Sequence, residues 1–365
     1  MAAEVRILQL ITDRDRRGAQ VFALDLAAGL RALGSSVETV ALGPGTHGDL
    51  LQVRALGDRR LGFRTLQELR RTARRYDVVV AHGSSTLPAS ALALIGKGVP
   101  IVYRQISDPE FWAASWPRRL RVATCLRRMK AIVALSADTS TTVKRHYWLR
   151  ARPAVTVIPN AVPDERFRRP TLDERTEARR SLGLPADCEA ILFIGALTPE
   201  KGVDDAITAS AELPSTVLLV VGDGPQRQEL EALASRRMPG RSFFVGSLED
   251  PRAAYWSADL LVFPSRGGDS MPAVLIEAGL CGLASVTTDV GAIADVVDHG
   301  GTGLVLPPGD TDAIASAVAK LMGDPARRSA MGAAAAARCS ARFTIAHTAP
   351  EWLDLLKNLT VRSAG

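Results

Sequence analysis

Two carboxylates, Asp269 and Glu277, stand eight positions apart in the stretch LLVFPSRGGDSMPAVLIEAGLCG, residues 260–282. The stretch predicts a strand, a loop with a proline and paired glycines, and then an apolar helix that contains Glu277. An unpaired buried carboxylate is costly, so Glu277 must either reach solvent or have a partner. Asp269 precedes the helix, where acidic groups suit the positive helix end. The two carboxylates are therefore either a ligand-binding pair or a helix cap with a solvated edge residue.

Lys201 lies in the segment TPEKG, which follows the predicted strand AILFIGAL. The pattern predicts Thr198 as the N-cap of a helix and Lys201 in its first turn. A cation is disfavoured at the positive end of a helix, and an anion held between the helix amides and the ammonium group removes that penalty. A phosphate meets this description. The alternative is a surface lysine paired with Asp204 or Asp205.

Glycines follow two other predicted strands. Gly222 and Gly224, in VVGDGPQRQEL, allow the backbone to approach a flat or anionic ligand closely. The third glycine of GxGxxG is missing and no acidic residue ends the next strand, so a dinucleotide-dependent dehydrogenase is disfavoured. Gly18 and Ala19, in TDRDRRGAQ, open a helix after the first strand and form another candidate anion site.

The elements that must position these residues alternate between short β-rich runs and helical stretches. The runs are VRILQLI, SVETVAL, YDVVVAHG, VPIVYRQ and KAIVALS, and later AILFIGAL, STVLLVVGDG, SFFVG, DLLVFPS and ASVTTD. This alternation predicts an α/β fold of two doubly wound parallel sheets with ligands beyond the carboxyl ends of the strands. A proline-rich run interrupts it, so we predict a first domain at 1–165, a linker at 166–186, a second domain at 187–345 and a C-terminal helix at 346–365.

Composition and charge limit the classes of protein and partner. A chain of 365 residues, 47% hydrophobic and 23% charged, is long enough for two domains with full cores. Residues 1–165 hold 25 Lys and Arg against 14 Asp and Glu, whereas the rest holds 20 against 25. The basic half lacks zinc-finger spacing, RNP-like aromatics and a basic tail, so it favours a membrane surface or an acidic ligand over nucleic acid.

Location is predicted from absent signals and from one basic segment. The four cysteines have no CxxC or metal-ligand spacing, the N-terminal apolar run is too short for a signal peptide, and no stretch reaches the ~18 residues of a membrane span. We therefore expect a cytoplasmic protein. In residues 108–130, Phe111, Trp112 and Trp116 stand beside six basic residues, which suits the anionic inner face of a membrane. The alternative is a solvated basic helix over core aromatics.

Seven motifs agree in order and spacing with one known family. They are VIPNAVPDERF, FIGALTPEKG, VVGDGPQRQEL, FVGSLED, YWSADLLVFPS, DSMPAVLIEAGLCGLASVTTDVGAIADVV and GGTGLVLPPGD. Through them the chain, most strongly over residues 155–345, resembles the retaining GT-B glycosyltransferases of family four. The resemblance implies two Rossmann-like domains facing across a cleft. The second would bind a UDP- or GDP-linked sugar, the first would contact the acceptor, and the C-terminal helix would pack back across the hinge.

The resemblance also implies roles for individual residues. Asp269 and Glu277 match the two ends of the family's E-x7-E motif, with Glu277 on the ribose hydroxyls and Asp269 near the transferred sugar. Lys201 matches the lysine that neutralises the diphosphate. The other implied donor contacts are Gly18, Ala19, Gly195, Gly222, Gly224, Gly246, Leu248, Arg266, Ser270, Met271 and Pro272.

Two departures concern the donor side. The first motif carboxylate is Asp269 where glutamate is usual, which shortens its reach by one methylene group. Where relatives commonly carry an arginine after the glycine of FIGAL, this chain has Ala196, so a second diphosphate cation is missing unless Arg266 supplies it.

A third departure concerns the acceptor side. Many relatives place a histidine after the strand VPIVY, where this chain reads Arg104, Gln105 and Ile106. We regard His82, Arg104 and Gln105 as acceptor-side candidates, although a hydrogen-bonded structural role also fits His82. The triplet DRD at 13–15 imitates the DxD motif of metal-dependent glycosyltransferases, but that motif belongs after a nucleotide-binding half and we reject it here.

The predicted reaction is transfer of a glycosyl group with retention, without a metal or other cofactor, in polysaccharide or glycolipid biosynthesis. The partners would be a nucleotide sugar and a sugar, glycolipid or polysaccharide acceptor. Two alternatives stay open. A nucleotide-sugar epimerase on the same architecture would turn over donor without acceptor. A sugar-nucleotide-binding protein with lost activity, suggested by Ala196 and the missing histidine, would bind UDP or GDP without turnover.

Overall fold

The computed structural model describes residues 4–46, 50–96 and 98–361. These residues form two compact units: the first runs up to Ala161 and includes the segment from Ile345 onward, and the second spans Val162–Thr344. The chain thus returns to its first unit after completing the second. Residues 362–365 of the predicted C-terminal helix lie outside the described residues, as do residues 1–3 of the predicted N-terminal run.

The described part of the first unit contains seven parallel strands in the order β3-β2-β1-β4-β5-β6-β7. They are β1 Arg6–Ile11, β2 Ser36–Ala41, β3 Arg54–Ala55, β4 Val78–His82, β5 Ile101–Arg104, β6 Ala131–Ala134 and β7 Ala154–Val157. The order reverses beside β1, as in doubly wound sheets. Strand β4 is buried along its whole length, which explains why its sequence is a continuous apolar run rather than an alternation.

Helices cover both faces of this sheet. They are α1 Gly18–Ala32, α2 Phe63–Ala73, α3 Thr86–Ala93, α4 Pro109–Trp112, α5 Trp116–Leu126, α6 Ala137–His146 and, from the chain end, α15 Ile345–Val361. Helices α1 and α15 share one face, where Phe22, Leu26 and the fully buried Trp352 and Leu356 form a core. Truncation of a buried tryptophan of this kind costs about 3–5 kcal/mol. Helix α15 is therefore an integral part of the first unit.

The described second unit holds six parallel strands in the order β10-β9-β8-β11-β12-β13. They are β8 Glu189–Ile194, β9 Thr216–Val221, β10 Ser242–Gly246, β11 Leu260–Phe263, β12 Ala284–Thr288 and β13 Gly303–Leu306. The helices are α7 Leu172–Ser181, α8 Val203–Ala211, α9 Arg227–Arg237, α10 Arg252–Ser257, α11 Ala273–Leu280, α12 Ile293–Val296, α13 Thr311–Met322 and α14 Pro325–Arg342, with a 3₁₀ turn at Pro199–Lys201. The predicted α/β class with two doubly wound sheets is confirmed.

Residues 166–186, predicted as a linker, lie within the second unit. Helix α7 packs there through its arginines: Arg175 pairs with Asp259 at 2.7 Å, and the buried Arg179 donates to the carbonyl oxygen of Ser257 at 2.8 Å. The arginines of this helix thus satisfy a carboxylate and a carbonyl group at the end of α10. A charged helix can thus belong to a folded unit when its partners are distant in sequence.

Three edge strands, β3, β7 and β13, were not predicted, and β3 contains only two residues. Strand β7 is half exposed and runs directly into the proline-rich segment, and β13 offers only four residues after a glycine. Both are outermost in their sheets, so only one flank needs pairing and their apolar pattern is weak.

Among the described helices, none is both long enough and apolar enough to cross a membrane.

Candidate active site

Lys201 and Asp269 meet at the carboxyl ends of two neighbouring strands of the second unit. Lys201 follows β8 and Asp269 follows β11, which pair in the sheet, and the Nζ–Oδ1 distance is 2.5 Å. The hydroxyl of Ser265 donates to the other oxygen of Asp269, also at 2.5 Å. The Lys201 and Asp269 side chains are 17% and 14% exposed, so the pair is largely but not fully withdrawn from water.

The turn that carries Lys201 differs from the prediction. The segment from Pro199 forms a 3₁₀ turn of three residues, ended by Gly202 in the left-handed conformation, and α8 begins at Val203. A side chain at Gly202 would place its Cβ 2.2 Å from the carbonyl oxygen of Pro264, so the turn packs against the loop after β11. Thr198 makes no side-chain cap. Lys201 is therefore positioned by the packing of its loop, and its ammonium group is held by the ion pair with Asp269. It does not lie in the first turn of an α-helix.

Arg266 is not available as the missing diphosphate cation in this arrangement. Its guanidinium group lies 2.8 Å from Asp204 and 2.7 Å from Asp205, so two carboxylates neutralise it. Asp205 is buried and also accepts a hydrogen bond from Thr311 at 2.6 Å. The expected alternative pairing of Lys201 with Asp204 or Asp205 is thus wrong: Arg266 takes these partners and leaves Lys201 to Asp269.

Glu277 has a partner that the sequence analysis missed. The hydroxyl of Tyr255 donates to its Oε2 at 2.6 Å. Burial, reinforced by the adjacent Glu277 carboxylate, raises the pKa of Tyr255 well above its ordinary value, so the phenol stays protonated and remains a donor. Glu277 is half-buried, so it combines a structural hydrogen bond with partial access to solvent.

The glycines after β8 and β9 have a packing role. A Cβ at Gly222, where φ is +133°, would lie 1.8 Å from the carbonyl oxygen of Gly195, and one at Gly224 would lie 2.4 Å from that of Leu197. The two loops therefore touch backbone to backbone. The amide of Gly222 donates to the carbonyl of Gly246 at 2.8 Å, which ties the end of β10 to the same cluster.

The other predicted donor contacts lie close to this edge. Leu248 is half-buried in the loop that follows Gly246. Ser270 and Met271 are buried directly after Asp269, and the carbonyl of Ser270 accepts from the amide of Ala292 at 2.5 Å. Pro272 stands immediately before α11 and supplies no side-chain cap. The second unit thus brings the predicted loops to one edge of its sheet.

In the first unit, Gly18 and Ala19 form the first turn of α1, behind the N-cap residue Arg17. The nearby Asp13 is buried and bound by cations: Arg17 lies 2.5 Å and Arg60 2.7 Å from its Oδ2. Gln20 donates to its Oδ1 at 3.0 Å. The DRD triplet therefore organises a salt-bridge network, and among the described residues no His, Cys, Asp and Glu cluster that could hold a metal ion is found.

The acceptor-side candidates form a buried group at the ends of β4 and β5. His82 and Arg104 are paired in register, and both are 2% exposed. His82 Nε2 lies 2.6 Å from Oε1 of Gln9, which fits the hydrogen-bonded structural role considered for it. Burial, and secondarily Arg104, lowers the pKa of His82 well below its ordinary value. Gln105 is turned onto its own loop, where its amide donates to the carbonyl of Ser107 at 2.6 Å.

Sequence reasoning missed Ser265 and Tyr255 as site residues. Ser265 is fully buried, holds Asp269, and accepts at its own carbonyl from Thr288. The signal for Ser265 was its place at a predicted strand end in FPS. The sequence signal that Tyr255 belongs to the site was weaker, because an aromatic residue in YWSADLL is by default interpreted as a core residue.

Comparison with known proteins places this geometry in a class. The fold matches Anabaena HepE in complex with UDP-glucose with a TM-score of 0.85 at 22% identity, over 97% of this chain and all of the other. That likeness defines a GT-B fold. The model of the group 1 glycosyl transferases matches residues 174–338, and that of glycosyltransferase family 4 matches residues 16–166.

Two curated relatives show how similar this sequence is to those of known proteins. The chain is 31% identical to the GDP-mannose-dependent alpha-(1-6)-phosphatidylinositol monomannoside mannosyltransferase of Mycolicibacterium smegmatis, over 67% of this chain and 68% of that protein. It is 30% identical to the exopolysaccharide phosphotransferase SCO2592 of Streptomyces coelicolor, over 81% of this chain but only 30% of that protein's length. The chain belongs to glycosyltransferase family 4, and the resemblance stated from its motifs is confirmed.

Proposed function

We propose that the protein transfers a glycosyl group from a UDP- or GDP-linked sugar to a hydroxyl-bearing acceptor, with retention and without metal. The observation that carries the proposal is the Lys201–Asp269–Ser265 cluster, where a cation and a carboxylate share one strand edge. The ammonium group has three protons and can exchange Asp269 for a departing diphosphate. Such counter-charge is most effective where water is partly excluded, as it is here.

Each group then has a distinct role. Lys201 neutralises the leaving diphosphate, which accepts the acceptor proton on the face from which it departs. Asp269, held by Ser265, accepts hydrogen bonds from hydroxyls of the transferred sugar, and Glu277, oriented by Tyr255, accepts those of the ribose. The amides of Gly18 and Ala19 contribute to anion binding, and the loop from Gly246 to Leu248 contacts the base.

A nucleoside diphosphate is expected to raise the melting temperature of the protein equally with and without EDTA. Lys201 and backbone amides supply the counter-charge, so no divalent cation is needed. At about 100 times Kd, binding to the folded state adds ~2.7 kcal/mol to the free energy of unfolding. Differential scanning fluorimetry with UDP and GDP checks this result. Stabilisation that disappears in EDTA and returns with Mg²⁺ or Mn²⁺ would refute the metal-free mechanism.

A second candidate, a sugar-nucleotide-binding protein with slow turnover, is favoured by one observation. Ala196 replaces one cation and Arg266 is neutralised, so the described second unit offers Lys201 as the candidate diphosphate cation. Release of nucleotide from UDP- and GDP-sugars, measured with and without sugar and glycolipid acceptors, separates the candidates. Nucleotide release that depends on acceptor supports the transferase, and stabilisation without release supports the binding protein.

For the acceptor side, we propose contact with an anionic membrane through the segment around α4 and α5. The aromatic side chains there are not core residues, contrary to the alternative considered: Phe111, Trp112 and Trp116 are 47%, 45% and 62% exposed, and Leu120 is 41% exposed. Basic side chains are exposed beside them, at Arg118, Arg121, Arg127, Arg128 and Lys130. Exposed aromatics flanked by cations suit the headgroup region of a bilayer.

Replacing Trp116 with alanine is expected to weaken binding to vesicles that contain anionic lipid by about tenfold. Burial of a large apolar side chain contributes about 1.5–3 kcal/mol, and ~1.4 kcal/mol corresponds to tenfold. Phe63→Ala is the matched control, because Phe63 is 81% exposed on α2 outside this segment. Flotation at low and high salt measures both variants. Equal recovery of the unmodified protein from neutral and anionic vesicles would contradict the membrane proposal.

A further inference from the structure

Arg104 is a buried cation for which the described residues provide no carboxylate partner. Its side chain is 2% exposed, stacks on the ring of Phe22 at 3.5 Å, and donates one hydrogen bond, from Nη2 to Asn160 Oδ1 at 2.8 Å. Its Nε is buried without a hydrogen-bond partner. Burial lowers the pKa of Arg104 from its ordinary value, which reflects the cost of keeping this charge away from water. Buried charges of this kind are normally paired.

The nearest titratable neighbour cannot neutralise Arg104. His82 stands beside it on the adjacent strand, and its Nδ1 is also buried without a partner. Gln9 donates from Nε2 to the carbonyl of Ala23 at 2.9 Å, which leaves its Oε1 to accept from His82 Nε2. His82 is then a neutral imidazole with an unshared electron pair on Nδ1. The two buried atoms without a hydrogen-bond partner, Arg104 Nε and His82 Nδ1, therefore belong to residues that pair in register at the carboxyl ends of β4 and β5.

The N-terminal part of α1 contacts Arg104 through Phe22. Phe22, on which Arg104 stacks, is one turn along from Gly18 and therefore on the same helix face. The first turn of this 15-residue helix has no acidic residue and no side-chain cap. Gly18 is exposed, and a Cβ placed on it would meet nothing within 4 Å. The first turn of α1 thus has no side-chain cap, and the guanidinium group without a carboxylate stacks on Phe22 one turn further along, a combination that favours an anion.

We propose that Arg104, together with the first-turn amides of α1, binds a phosphate or carboxylate group of one of the two substrates. This assignment rests on the proposed transferase function and adds the chemical class of a group that the first unit recognises. Arg104 is a specificity-determining residue in this role, since a ligand with an anionic group supplies the counter-charge that the described residues lack. The source of the anion is either the donor diphosphate or an acidic group on the acceptor.

A purely structural arginine predicts a different response to substitution. Arg104→Met keeps the length and the contact with Phe22 but removes the charge. If the charge waits for a ligand, the free protein keeps its melting temperature or gains, because an uncompensated buried charge has been removed. If Arg104 is needed for folding, the melting temperature falls. Arg119→Met is the matched control: Arg119 also stacks on an aromatic ring, that of Trp148 at 4.6 Å, and donates to a carbonyl, that of His146.

The test measures stabilisation by inorganic phosphate in a Lys201→Ala background, so that the lysine of the second unit does not contribute. Phosphate is expected to raise the melting temperature of this protein and of its Arg119→Met derivative, and to have at least a tenfold weaker Kd for the Arg104→Met derivative. In the protein with Lys201 intact, UDP, GDP and glucose 6-phosphate then identify the source. A Kd for UDP or GDP at least tenfold weaker in Arg104→Met assigns the donor diphosphate. A loss confined to glucose 6-phosphate assigns an acidic acceptor.

The proposal is overturned if phosphate does not stabilise the Lys201→Ala protein, or if Arg104→Met binds every probe with unchanged Kd. If Arg104→Met does not fold, ¹⁵N NMR of the unsubstituted protein provides the test. The Nε–H resonance of Arg104 is identified as the arginine resonance that is absent from the spectrum of Arg104→Lys. A shift of that resonance with phosphate supports the assignment, and an unchanged resonance overturns it. Absence of sugar transfer with every nucleotide sugar would defeat the proposed function while leaving the phosphate result intact, so the two failures are distinguishable.

Discussion

Replacing Lys201 with alanine is expected to reduce sugar transfer by about 10²–10³-fold, the loss typical of removing one electrostatic contact to a transition state. Its ammonium group is the candidate counter-charge for the departing diphosphate, because Arg266 is neutralised by Asp204 and Asp205. The effect should appear mainly in kcat, since the charge on the diphosphate increases as the sugar departs. Steady-state kinetics with the preferred nucleotide sugar, at a temperature well below the melting transition, measures it.

Stability must be followed in the same variant. Lys201→Ala leaves Asp269 without its cation but still hydrogen-bonded to Ser265, so we expect the free energy of unfolding to fall by about 1–3 kcal/mol. Lys320→Ala is the control, because Lys320 is an exposed lysine at the end of α13 in the same unit. Unchanged kcat in Lys201→Ala, or an equal loss in Lys320→Ala, would show that Lys201 is only a structural ion-pair partner.

The sheets were predictable because their signal is local. Short, β-branched apolar runs such as VVVAH and ILFI indicate buried strands of a parallel sheet, and their alternation with helical stretches indicates the class. The edge strands β3, β7 and β13 were not predicted, because only one flank of each is paired and their apolar pattern is weak. Helix α7 was assigned to the linker for another reason: its polar sequence gives no local sign of Asp259 and the carbonyl groups at the end of α10, which the fold brings beside its arginines.

The sequence motifs single out Lys201 and Asp269, but they do not give the side chains that these two residues contact. Lys201 and Asp269 are 68 positions apart, and their motifs mark both as unusual, yet only the pairing of β8 with β11 brings them together. The same strand order gives Arg266 to Asp205 and so removes the cation that seemed able to replace the missing one. Local rules also failed at TPEKG, where helix signals are overridden because Gly202 must approach Pro264. Propensity therefore located the turn, and tertiary packing determined its form.

Arg104 shows the opposite limit. In sequence it is merely the residue at the end of VPIVYR, one of the three positions, 104–106, at which we looked for the histidine of many relatives. The sequence cannot show that Arg104 has no carboxylate partner, because such a partner could come from any distant loop. Only the fold shows that none of the described residues provides one. An unpaired buried charge is therefore information that the fold adds to the sequence. On our proposals, the first unit recognises the charge of the substrate through Arg104, and the second unit recognises the sugar through Asp269.

Asp269→Ala is expected to reduce transfer by about 10²-fold or more, because it removes the carboxylate that we propose for the sugar contact and also removes the 2.5 Å partner of Lys201. Loss of the ion pair alone would act on the diphosphate and would change the affinity for free nucleotide and for every nucleotide sugar to the same extent. Measuring UDP and GDP affinity beside the affinity for the intact nucleotide sugar separates these effects. The sugar contribution is the part of the loss that free nucleotide does not share.

Asp269→Glu distinguishes a sugar contact from a loop cap more sharply. Glutamate keeps the charge that pairs with Lys201 and restores the residue usual in the family, but it extends the carboxylate by one methylene group towards the ligand. If Asp269 accepts from sugar hydroxyls, the variant should keep substantial activity while its preference among UDP- and GDP-sugars changes, since a shift of one methylene is worth about 1–3 kcal/mol in selectivity. Ser265→Ala should lower activity in the same direction as Asp269→Ala but less, because the hydroxyl only orients the carboxylate. A donor profile and rate that stay the same in both Asp269→Glu and Asp269→Ala would mean that the carboxylate serves only the loop and Lys201.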